Sequence, residues 1–96
     1  MTIYRETLQD LKTACSKYRH HLLGIEELKA AVWEAAQTIV AVEELELHKF
    51  LQWAEGQLDM VQFTVDQENI FRESLKIVSQ IEEQIQQWKQ DVPSLD

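Results

Sequence analysis

Between the start of this chain and Pro93, the fourth residue from its end, only Gly24 and Gly56 offer the backbone freedom that tight reversals use. A sheet protein of 96 residues needs many turns, and turns draw on Gly, Pro, Asn and Asp. This chain has few of them, while its apolar residues, 45% of the total, recur at steps of three and four. The sequence predicts an all-α fold: a four-helix up-down-up-down bundle with helices over about 3–21, 25–42, 44–63 and 67–90. Residues 1–92 form a single bundle domain in this reading, and 93–96 a short frayed tail.

The first helix is marked by Tyr4, Leu8, Leu11, Cys15, Tyr18 and Leu22, a narrow seam of heptad type, with Thr2 as a candidate cap. Gly24 either closes this helix or caps the next. Residues 25–42 follow, where Ile25, Leu28, Ala31, Val32, Trp33, Ala35, Ala36, Ile39, Val40 and Val42 occupy one arc of roughly 200° against the usual ~100°. Lys29 is the one charged residue inside that arc. So apolar a helix is expected to be covered on most sides, with the other helices gathered around it. The apolar series then shifts by one residue, resuming as Leu47, Leu51, Ala54, Leu58 and Val61. Thr38, Ile39, Val40 and Val42 cluster β-branched residues just before the shift, which lowers helix propensity. A turn near 42–45 accounts for both; one long bent helix over 25–63 is the alternative. Thr64 with Gln67 resembles a capping box, and Asp66 offers a second N-cap. The last helix carries Ile70, Phe71, Ile77, Val78, Ile81, Ile85 and Trp88 on one stripe, with Leu75 at its margin.

Charge is unevenly placed. The net charge is −8; residues 1–22 hold four cations against two acids (+2), and residues 23–96 five against fifteen (−10). So acidic a surface argues against nucleic acid and anionic membrane, whose affinities come largely from cations meeting phosphate. It permits a basic protein partner, although acidity also serves solubility alone. No apolar run approaches the ~20 residues of a membrane span. The N-terminus lacks the apolar core of a signal peptide. A cytoplasmic protein is expected, with Cys15 as a buried structural thiol.

Candidate chemistries find little support. A di-iron bundle needs Glu-x-x-His pairs, yet Leu45, Tyr18 and Lys17 stand three residues before His48, His21 and His20. Glu44 and His48 share a helix face, but one that reads as solvated. No glycine-framed turn exposes a nucleophile, and no glycine loop cradles phosphate. Arg5, Arg19 and Arg72 share no inward stripe. Neither an enzyme nor a cofactor or metal site is expected.

One feature exceeds the needs of a core. The third helix has two apolar stripes: Leu47, Phe50, Leu51, Ala54, Leu58 and Val61 suit the bundle interior. Leu45, Trp53, Gly56, Met60 and Phe63 lie roughly 150° away. Large aromatics and Met around a glycine fit a protein–protein contact, which Trp33 and Val40 at the edge of the second helix could extend. Burial of both stripes in an irregular bundle is the competing expectation. The favoured reading is a non-enzymatic homodimer. The alternative is an immunity- or antitoxin-type protein meeting a basic partner through Glu43, Glu44, Glu46, Glu55 and Asp59.

Overall fold

The computed structural model describes residues 4–39 and 44–91, with side chains as far as Trp88. It contains four helices: α1 (Arg5–Arg19), α2 (Ile25–Thr38), α3 (Leu45–Thr64) and α4 (Gln67–Asp91). Each packs against its neighbour in the chain, and α1 closes the ring against α4. An all-α four-helix bundle results, 44 × 24 × 17 Å in extent.

The core follows the predicted seams. Leu8, Leu11, Cys15 and Tyr18 of α1 meet Leu28, Val32, Ala35 and Ala36 of α2. Leu47, Leu51, Ala54 and Leu58 of α3 and Ile77, Val78, Ile81 and Ile85 of α4 complete it. Ser74 is buried with them, and its hydroxyl finds no partner among the described residues. Dehydrating an unpaired hydroxyl costs stability, so this position offsets part of what its apolar neighbours contribute.

Helix ends show where local chemistry prevailed over periodicity. Leu22, expected to extend the first seam, is 73% exposed. The chain leaves α1 through a Schellman turn, in which Leu22 N–H donates to Lys17 O at 2.8 Å and His21 N–H to Tyr18 O at 3.1 Å. That turn needs a left-handed residue, and His21 takes the place with φ 60°. The reversal swings Leu22 away from the core. Gly24 is the N-cap of α2, and its N–H donates to Glu27 Oε1 at 3.1 Å, half of a capping box.

The second helix ends earlier than its apolar arc implies. Thr38 is its last residue, and Ile39 has left helical geometry at φ −90°, ψ 89° while remaining buried. Helices two and three are therefore separate, and the long bent helix is corrected. Val40, Val42, Glu43 and the expected turn near 42–45, apart from its last two residues, lie outside the described residues, as does the candidate cap Thr2. α2 is also not the hub around which the bundle gathers: it packs on α1 and α3, and Trp33 faces solvent at 53% exposure. A four-membered ring gives each helix two main neighbours, so no helix is covered on most sides. The Thr64 side of the proposed capping box does not form either. Its hydroxyl donates to Met60 O at 2.7 Å within α3, and Asp66 directly precedes α4.

Candidate interaction face on the third helix

Two sets of side chains settle how α3 sits. Its inner stripe is buried as described, with Phe50 and Val61 half-buried at the margin. Its α2-facing side is polar and paired. Lys29 Nζ donates to Asp59 Oδ1 at 2.8 Å and to Gln62 Oε1 at 2.6 Å. Gln62 Nε2 in turn donates to Glu26 Oε2. The Asp59 hydrogen bond, helped by the carboxylates of Glu26 and Glu55, holds the Lys29 ammonium above the ordinary lysine range against the opposing pull of burial. This explains a lysine inside an apolar arc: its stem is covered and its head is partnered. Further along, His48 Nδ1 lies 2.7 Å from the Ala36 carbonyl. A carbonyl only accepts, so Nδ1 carries the proton there and satisfies one of the last-turn carbonyls of α2.

These contacts leave the remaining side of α3 facing outward. Leu45 (48% exposed), Trp53 (43%), Met60 (57%) and Phe63 (74%) all project there. Six large hydrophobics are exposed among the described residues, and four of them share this one face. Gly56 sits in their midst, and a Cβ built on it would meet nothing within 4 Å. The aromatic rings are held rather than free. Trp53 leans on Phe50 with ring centroids 5.6 Å apart, and the Lys29 ammonium lies 5.4 Å from the Phe63 ring centre. The expectation that both stripes of α3 are internal is thereby overturned: only one is.

Trp33 belongs to the same side of the molecule. The pairings of Lys29 with Asp59 and of Ala36 with His48 fix α2 and α3 as antiparallel. They place Trp33 level with residues 52–55, on the side of α2 that carries Lys29 and Glu26. Val40, expected beside it, is outside the described residues.

Two of the acidic residues expected on the solvated side of α3 have partners within the bundle. Glu44 accepts the Trp88 indole N–H at 2.9 Å, tying the start of α3 to the far end of α4. Asp59 is engaged by Lys29, and Glu43 is not described. Glu46 and Glu55 remain. Elsewhere, Arg19 bridges to α4, its guanidinium donating to Glu82 Oε1 at 2.6 Å and to Ser79 Oγ at 2.8 Å. No sequence periodicity announced that pair; 63 residues separate its members. The groove between α1 and α2, about 160 Å³, is lined by Asp10, Glu34, Thr7 and Thr38 over Leu11 and two alanines. It gathers no nucleophile, base and electrophile that could act together. His20 is taken by the Ser16 carbonyl at 2.8 Å, and His21 stacks on Phe71 at 4.2 Å.

No protein-family model, curated protein or solved structure matches this chain. Among the described residues no helix is long and apolar enough to cross a membrane.

Proposed function

We infer that this is a non-enzymatic protein that works through protein–protein contacts, as a homodimer joined through the outer face of α3. The observation that carries this reading is the gathering of Leu45, Trp53, Met60 and Phe63 on one exposed helix side, around a glycine with open space above it. Aromatic side chains and Met are the residue types enriched at the centres of interfaces. Trp53 is pre-positioned by Phe50, so little conformational freedom is lost on contact. The antitoxin-type alternative has less to draw on, because Glu44 and Asp59 already serve Trp88 and Lys29.

Solution mass by light scattering tests the reading, on the wild type and on Trp53→Glu/Met60→Glu. A wild-type dimer that becomes a folded monomer in the double variant is the expected result. A wild type that is monomeric at every concentration refutes the homodimer. A dimer that survives both charges would place the contact elsewhere.

A further inference from the structure

We propose that the α3 face pairs with the same face of a second copy, antiparallel and centred near position 54, so that Trp53 of each copy seats over Gly56 of the other. The proposal rests on the homodimer reading above and adds its geometry. It comes from the order of residues along the face. Reversed about position 54, Leu45 falls on Phe63, Lys49 on Asp59 and Gln52 on Gly56. The two apolar ends of the stripe, Leu45 and Phe63, thus meet each other, as paired positions of an isologous interface do. Helical side chains lean toward the N-terminus of their helix. In an antiparallel partner this carries the Trp53 ring from its own level onto the next outward-facing position of the other chain, which is Gly56. The largest side chain of the face meets the only position without one. Packing Trp33 into α3 of its own chain is not an alternative use of that notch, since Trp33 is itself 53% exposed and nothing approaches a Cβ at Gly56.

Charge follows the same register. Asp59 gives Oδ1 to Lys29 yet keeps half of its side chain exposed, which leaves the carboxylate open to Lys49 of the second copy. Lys49 is exposed and forms no ion pair among the described residues. The areas also fit. With aromatic side chains of about 150–250 Å², the exposed fractions of Trp33, Leu45, Trp53, Met60 and Phe63 leave roughly 600 Å² per copy. Two copies would bury about 1,200 Å², the lower edge of stable interfaces.

Disulfide trapping reads the register directly. Cys15 is fully buried and gives no background. Leu45→Cys and Phe63→Cys chains, mixed and mildly oxidised, are expected to form a disulfide-linked dimer containing one of each. Either variant alone should not link, because like positions stand about 27 Å apart in this arrangement. Linking of either variant with itself would overturn the antiparallel register while leaving a dimer in place. A wild type that is monomeric by light scattering would instead remove the reading beneath it. Gly56→Leu supplies a second readout. It should keep its helical circular dichroism and melt no lower than wild type as a monomer, yet dimerise at least roughly tenfold more weakly. Undiminished dimerisation of Gly56→Leu would overturn the Trp53–Gly56 packing.

Discussion

Cys15 shows how far burial alone can move a single group. Its thiol is fully buried in the bundle core, and loss of hydration pushes its pKa from 9.0 up to about 12, with the Glu82 carboxylate adding to the rise and Arg19 opposing it. Only the thiolate reacts or binds metal, so this cysteine is inert at neutral pH. The shift also makes stability depend on pH. Below about pH 9 the thiol is neutral in both folded and unfolded chains and its contribution is intact. Above that the unfolded chain releases the proton first, and stability is lost as pH climbs toward 12. Near pH 10.5 the loss should be about 2 kcal/mol. Urea melts of wild type and Cys15→Ala between about pH 8 and 11 will check it: the difference between them should narrow as pH rises. The burial of Cys15 was legible in the sequence, from its place between Leu11 and Tyr18. The engagement of Lys29 was not. A lone lysine in an apolar arc signals a buried stem, but Asp59 is 30 residues away and nothing local selects it.

At the scale of the element, each helix was legible where its stripe is amphipathic and blurred where capping decides the end. α3 and α4 start and stop within one residue of their predicted bounds. α1 and α2 stop two and four residues early: α1 ends on the hydrogen bonds of its turn, which hydrophobic spacing does not encode, and α2 ends where Ile39 leaves helical geometry. The α1 terminus makes this concrete. His21 holds a conformation that costs a non-glycine residue about 1–2 kcal/mol, and it recovers part of that by stacking on Phe71 at 4.2 Å. His21→Val should lower stability by about 2 kcal/mol, since a β-branched residue worsens the strain and loses the ring. His21→Gly should change it little, as relief of strain offsets the lost stacking. Thermal melts of the two variants separate these effects.

For the molecule as a whole, ring order and exposed face were readable to different depths. Four seams implied four helices in a bundle, and two stripes on α3 implied that one of them faces outward. The sequence alone did not reveal that Asp59 is engaged by Lys29, Glu44 by Trp88 and the Ala36 carbonyl by His48, since each contact joins residues on different helices. The ring also has a temporal side. Three of its four contacts join consecutive helices and need only short loops to close, so they can form early. The fourth, α1 against α4, joins residues 63 apart in sequence and closes the longest loop, so it is expected to form last. Its Arg19–Glu82 pair, with side chains 37% and 30% exposed, contributes at most about 1 kcal/mol. Arg19→Met should leave the refolding rate unchanged in stopped-flow measurements and speed unfolding by roughly fivefold or less. The bridge that shuts the ring acts on the lifetime of the native bundle; how quickly the bundle assembles is decided by the three contacts made before it.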